Sequence, residues 1–251
     1  MIYFIGAGPG DPELITVKGA KLLQEADVVI YTGSLVNPKI LEYCRPGVEI
    51  YNSAIMTRDE VLGVMRRAHE EHLTVARVHT GDPSLYGAIQ EQMDALAALN
   101  IPFEVVPGVS SFLAAAAAIP HELTLPGVTQ TVILTRLEGR TPVPEQEKLR
   151  ELARHKSTMC IFLSVHQMEQ VVEELLAGGY PSQTPVVIVE KASWPEERLL
   201  WGTLADIVNQ VKEAGITRTA LVLVGDVFNS PYQLSQLYDP QFSHGYRGSK
   251  I

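Results

Sequence analysis

Short apolar runs alternate with stretches of helical periodicity along the chain, and this alternation limits the fold more than any other feature of the sequence. Residues 2–5 read as a buried strand, and residues 14–25 as a helix with Val17, Ala20 and Leu23 near one face. Residues 28–31 are the next strand. Thr57-Arg58-Asp59-Glu60 has the form of a capping box, and Val61, Val64, Met65 and Ala68 follow at helical spacing. A strand is expected over 73–79, a helix over 89–99, a strand over 103–106 and a helix of small residues over 110–118. This order predicts an α/β protein, with a mostly parallel sheet and helices on both faces.

Pro120, Pro126 and Gly127 break the rhythm. They place an N-terminal α/β domain over 1–120, a linker over 121–127 and a C-terminal α/β domain over 128–251. In the second domain, 130–134, 158–163, 185–190 and 220–224 read as strands, with 198–202 as an antiparallel one. Helices are expected over 145–154 and over 167–177, the latter stopped by Gly178-Gly179. Thr203-Leu204-Ala205-Asp206 caps another helix, with Ile207, Val208 and Val211 turned inward. The tail from Phe228 is rich in Ser, Tyr and Gln and has little periodicity.

Charge and cysteine use narrow the function. With 20 basic and 29 acidic side chains the formal charge is −9, which disfavours a nonspecific nucleic-acid binder. A local group of arginines can still hold an anionic small molecule. Cys44 and Cys160 stand far apart in no disulfide or metal pattern. His121 and His244 have no partners at a ligand spacing, so no protein-bound metal is expected. The first residues lack a basic leader and reach glycine after five positions, and no apolar stretch approaches transmembrane length. A cytoplasmic protein with no membrane partner is therefore expected.

Three loops carry the candidate chemistry. Gly6-Ala7-Gly8-Pro9-Gly10-Asp11-Pro12 follows the first strand, where α/β folds bind ligands. Its spacing is G-x-G-x-G, not the dinucleotide G-x-G-x-x-G, and its prolines remove N–H donors. Thr80-Gly81-Asp82-Pro83-Ser84-Leu85-Tyr86-Gly87 follows another strand. Asp82 is either an acceptor for a ribose or amino group or only a helix cap. Val106-Pro107-Gly108-Val109-Ser110-Ser111 is the third. Singly each passes for a tight turn. Together they fall at successive strand ends on one sheet edge.

The three loops resemble those of the tetrapyrrole methylases, also called class III methyltransferases. Leu14-Ile15-Thr16-Val17-Lys18-Gly19, Ala26-Asp27-Val28-Val29 and Thr219-Ala220-Leu221-Val222-Leu223-Val224-Gly225 fit the same pattern. Tyr31-Thr32-Gly33-Ser34-Leu35-Val36, the stretch from Thr129 to Glu145 and Ala192-Ser193-Trp194-Pro195 are similar to the branch acting at C-11 of precorrin-4 or its cobalt form. The resemblance implies two α/β domains with a cleft between them, a homodimer, S-adenosylmethionine as methyl donor and a tetrapyrrole as substrate. It implies that Pro9, Gly81, Asp82, Leu85, Ser110 and Ser111 line the donor site from the first domain, and Leu163, Ala192 and Ala220 from the second. Leu163 stands where several relatives have methionine, and Ser111 where some have alanine.

Transfer from a sulfonium to an electron-rich carbon is an in-line displacement, chiefly a positioning task, so no acid or base is assigned. Arg136 and Arg140 are candidates for the substrate's carboxylates; the alternative is surface ion pairing with Glu138 or Glu145. His79 reads as a packed histidine, residues 114–118 as close helix packing, and Trp194 and Trp201 as buried in the second domain more readily than stacked on a macrocycle. Three other functions remain open: methylation at another position or of a porphyrinogen, an NAD-linked oxidoreductase, and a noncatalytic tetrapyrrole carrier.

Overall fold

The computed structural model describes residues 1–248. The chain forms two compact units. The first comprises Met1–Ala118 and Lys191–Arg198; the second comprises Ile119–Glu190 and the chain from Leu199 onward.

The first unit holds five strands: β1 Ile2–Gly6, β2 Val28–Tyr31, β3 Glu49–Asn52, β4 Val75–His79 and β5 Phe103–Val106. They run parallel in the order β3-β2-β4-β1-β5. Helices α1 Val17–Glu25, α2 Arg58–Glu70, α3 Gln90–Ala98 and α4 Ser111–Ala118 complete it. Both faces of the sheet are covered, which explains the nearly continuous apolar strands. Ile2, Phe4, Val28 and Ile30 pack with Val61, Met65 and Leu96 on one face. Ile5, Val29, Ala76 and Val78 pack with Leu23 and Ile40 on the other.

The capping box of α2 forms as its sequence predicts. Thr57 Oγ1 accepts the Glu60 N–H at 3.3 Å, and Glu60 Oε2 accepts the Thr57 N–H at 2.7 Å. The first helix starts later than its periodicity suggested. Asp11 caps a separate 3-10 turn, Pro12–Leu14, and Thr16 caps α1. Val17, expected inward, is therefore a first-turn residue and 72% exposed, while Ile15 is buried in its place. Strand β3 and the 3-10 turn Pro38–Tyr43 carried no readable pattern.

The second unit contains β6 Val132–Arg136, α5 Leu149–Ala153, β7 Thr158–Phe162, α6 Met168–Ala177, β8 Pro185–Glu190, β9 Arg198–Thr203, α7 Ile207–Glu213 and β10 Ala220–Val224. Its sheet order is β6-β7-β10-β8-β9. β6 and β7 are parallel, but the last strand inserts antiparallel between β7 and β8. Three expectations differ here: Glu145–Glu147 is a 3-10 turn that extended Lys148 separates from α5, β6 lies two residues later than the expected 130–134, and α7 starts after Asp206 without a side-chain cap from Thr203 or Asp206. A Cβ on Gly178 would sit 2.6 Å from Arg150 O, so that glycine lets α6 close against α5.

Residues 121–127, set out above as a linker, lie in the second unit. Leu123 and Leu125 are buried there, Thr158 Oγ1 donates to Leu123 O at 2.8 Å, and a His121 ring nitrogen meets Val227 O at 2.7 Å. In the tail, Arg247 donates to the carbonyls of Leu237, Asp239 and Phe242. The last three residues of the expected C-terminal domain lie outside the described residues.

Candidate functional site

Register brings the three glycine loops together. β4, β1 and β5 are adjacent and parallel, with Gly6 opposite His79 and Ile5 opposite Val106. All three loops thus leave one carboxyl edge. The glycines then allow contact between backbones. A Cβ on Gly6 would lie 2.6 Å from both Gly108 Cα and Gly81 O; one on Gly108 would lie 2.7 Å from Gly6 Cα and strike Gly81 O. Gly8 and Gly81 pair as a short bridge, the Gly81 N–H donating to Gly8 O at 2.7 Å. Gly6 and Gly108 are therefore required by loop-on-loop packing.

Asp82 fastens this assembly. Its Oδ2 accepts the Gly108 N–H at 2.9 Å and its Oδ1 accepts the Ser84 N–H at 2.8 Å. It does more than cap a turn, because it bridges two of the loops. Each carboxylate oxygen can accept a second donor, so the residue still suits a ribose hydroxyl or an ammonium. Around it Pro9 and Ser110 are buried and Leu85 and Ser111 half-buried. Ala192, expected from the second domain, instead belongs to the first unit, buried between Lys191 and Ser193. So does Trp194, expected in the second-domain core: its Nε1–H donates to Pro9 O at 3.0 Å. Trp201 is 48% exposed and meets Phe228 edge-on.

The second unit gathers the other candidates on an edge of its own. Arg136 pairs with Phe162 across β6 and β7, so the loops after both strands leave side by side. Ser164 Oγ joins them, accepting the Leu137 N–H at 2.9 Å. Leu163 stands here with φ +57° and 58% exposed. Val222 lies opposite Ile161 on β7, and Ala220 at the start of β10 lies opposite Glu190 on β8. Arg136 is committed locally. Its guanidinium donates to Leu137 O, Thr141 O and Pro142 O at 3.3, 3.1 and 2.9 Å. It shapes the 137–142 loop instead of pairing with Glu138 or Glu145. Arg140 on that loop is exposed and makes no ion pair among the described residues.

One residue of the first unit, Arg77, escaped the sequence reading of the site, while His79 beside it is packed as that reading expected. Arg77 is 6% exposed in the middle of β4, with no carboxylate partner among the described residues. It donates to Gln92 Oε1, Ile30 O and Thr32 Oγ1, each at 3.2 Å, tying the end of β2 to β4. Burial lowers its pKa to about 10, so it stays charged. A charged residue inside the apolar run 75–78 was the available signal. Next to it on the same face, His79 is 4% exposed and its Nε2 has no partner. Burial, with the Arg77 charge adding to it, brings the His79 pKa down to about 3.

That depression makes stability depend on pH. An unfolded histidine takes up its proton below about pH 6.5, whereas folded His79 stays neutral to about pH 3. The unfolded state binds the extra proton in this window. Stability is therefore fully present above about pH 6.5 and is lost as pH falls, with a limiting slope of about 1.4 kcal/mol per unit. The affected carboxylates, Glu49, Glu60, Glu169 and Asp206, titrate below their ordinary range and so act only at lower pH. Urea unfolding between pH 6.5 and 5 should show the slope in wild type and a flatter curve in His79→Leu. Equal slopes would refute the assignment.

Comparison with known proteins agrees with this arrangement. The family model described as Tetrapyrrole (Corrin/Porphyrin) Methylases matches residues 1–208. A cobalt-precorrin-4 C(11)-methyltransferase of Methanocaldococcus jannaschii is 56% identical over 249 residues, covering 99% of this chain and 96% of that protein. A precorrin-4 C(11)-methyltransferase of Pseudomonas aeruginosa is 47% identical, covering 98% of each. The solved structure of a cobalt precorrin-4 methyltransferase superposes with a TM-score of 0.89 at 50% identity, covering 91% of this chain and 96% of that one. A uroporphyrin-III C-methyl transferase from Thermus thermophilus, solved with S-adenyl homocysteine, gives 0.76 at 32% identity, covering 91% and 93%. With its glycine loops joined on one sheet edge and its matches running nearly end to end, the chain belongs to the tetrapyrrole methylase family.

Proposed function

We propose that the protein is an S-adenosylmethionine-dependent methyltransferase that methylates C-11 of cobalt-precorrin-4, or of precorrin-4, in cobalamin biosynthesis. The observation that carries this reading is the 56% identity, over 99% of the chain, to a cobalt-precorrin-4 C(11)-methyltransferase. The donor, when bound, supplies a methyl group activated by its positive sulfur. The chain's own task is to hold it in line with the attacking carbon. Pro9, Gly81, Asp82, Leu85, Ser110, Ser111 and Ala192 are assigned to the donor on the first unit, and Leu163 and Ala220 on the second. The free acceptor capacity of Asp82 suits a nucleoside carrying hydroxyl and ammonium donors.

Substrate carboxylates are assigned chiefly to Arg140, because the Arg136 guanidinium already serves three carbonyls. Assembly as a homodimer and a cytoplasmic location belong to the same proposal. Among the described residues no helix is long and apolar enough to cross a membrane.

Turnover with isotopically methyl-labelled S-adenosylmethionine, and with cobalt-precorrin-4 and precorrin-4 in parallel, tests the reading. NMR of the product should place the label at C-11. Label at another carbon would overturn the position and leave methyl transfer intact. No transfer by folded protein to active substrate would favour a carrier. In the same assay Arg140→Ala should raise the tetrapyrrole KM and leave donor affinity unchanged.

A further inference from the structure

Residues 191–197 lie between β8 and β9 in the chain, yet together with Arg198 they belong to the first unit. There they grip the first glycine loop. Trp194 Nε1–H donates to Pro9 O at 3.0 Å, and Ser193 Oγ accepts the Asp11 N–H at 3.0 Å. The indole occupies the space a side chain at residue 10 would need: a Cβ on Gly10 would fall 2.8 Å from Trp194 Cγ and nearer still to Cδ1 and Nε1. The third glycine of G-x-G-x-G thus answers to a tryptophan 184 positions away in the chain. From the other side, Asn37 Nδ2 donates to Gly10 O at 2.8 Å.

The gripping segment is itself held in a costly shape. Lys191 and Ser193 adopt φ of +50° and +68°, which side-chain-bearing residues keep only where their surroundings over-determine them. Two hydrogen bonds supply those surroundings. Glu197 Oε2 accepts the Ser193 N–H at 2.7 Å, and the Trp194 N–H donates to Lys191 O at 2.9 Å. Such a conformation, braced on both sides and ending on one loop, is preorganisation of that loop.

We infer that Trp194 is a positioning residue for the methyl donor: it holds Pro9, Gly10 and Asp11 in the shape that the donor meets beside Gly81 and Asp82. The inference rests on the methyltransferase reading above. It adds that donor affinity depends on a side chain that sets the loop through packing and one hydrogen bond.

Two variants separate those contributions. Trp194→Phe keeps a ring over Gly10 and loses the donor; Trp194→Ala loses both. Calorimetric binding of S-adenosylhomocysteine should weaken roughly fivefold in the first, as for one lost hydrogen bond. It should weaken about a hundredfold in the second, as for a displaced loop. The KM for the tetrapyrrole should not change in either. A melting cycle tests the contact without any ligand. Gly10→Ala should lower Tm in the wild-type background and add little in Trp194→Ala, because the clashing indole is gone. Wild-type affinity in both tryptophan variants, or melting shifts that simply add, would overturn the inference. If wild-type protein binds no S-adenosylhomocysteine, the methyl-transfer reading falls and the donor role with it, while the melting cycle still judges the contact.

Discussion

Gly108→Ala should abolish methyl transfer and lower the stability of the first unit by about 3 kcal/mol or more, at the upper end of what overpacking costs. The added Cβ would lie 2.7 Å from Gly6 Cα and strike Gly81 O, and both obstacles are backbone in neighbouring loops. Neither can turn aside as a flexible side chain would. The loops must part, taking with them the hydrogen bond from the Gly108 N–H to Asp82. Gly63→Ala provides the contrast. Gly63 lies within α2 and its Cβ would meet nothing within 4 Å. There the same substitution should stabilise by about 0.5–1 kcal/mol through helix propensity. Thermal unfolding of both variants, with turnover measured beside it, reads the difference. Full activity and wild-type melting in Gly108→Ala would sink the loop-contact account.

Asp82→Ala should be the second large effect, because two backbone donors lose a charged acceptor at once. Bonds of that kind contribute about 1.5–3 kcal/mol each. The loss should show both as a lower melting temperature without ligand and as weaker binding of S-adenosylhomocysteine. An aspartate that merely touched a ribose would affect binding alone. Asp82→Asn should rescue poorly. Its two carboxylate oxygens each face an N–H, at 2.8 Å and 2.9 Å, whereas an amide must turn its NH2 toward one of them. An asparagine variant that melts and binds like wild type would show that the tie between the loops is unimportant.

The elements that were easy to read share a physical cause. Strands β1, β2, β4 and β10 are short apolar runs because both sheet faces are covered, and the covering helices show the matching 3.6-residue pattern. The capping box of α2 is a local hydrogen-bond cycle, so four residues suffice to specify it. Strand β3 was invisible because it is an edge strand whose first two residues face solvent, which leaves no apolar alternation. Val17 misled because periodicity carries no information on where a helix begins. Asp11 and Thr16 decided that by capping two separate turns.

For the site, the division follows sequence distance. The three glycine loops could be marked from sequence, because each lies directly after a strand and its unusual residues are local. What those residues do was decided elsewhere. That Asp82 accepts from Gly108, that Arg77 reaches Thr32, that β10 pairs antiparallel with β7 and that Trp194 lies over Gly10 are pairings between distant segments. They depend on strand order and on the direction of the last strand. The sequence by itself determined where strands, turns and glycine loops fall, because propensity and apolar period act over a few residues. Only the tertiary structure decided which loops touch and which side chains hold them, because that contact energy exists only once separate segments have been brought to the same edge.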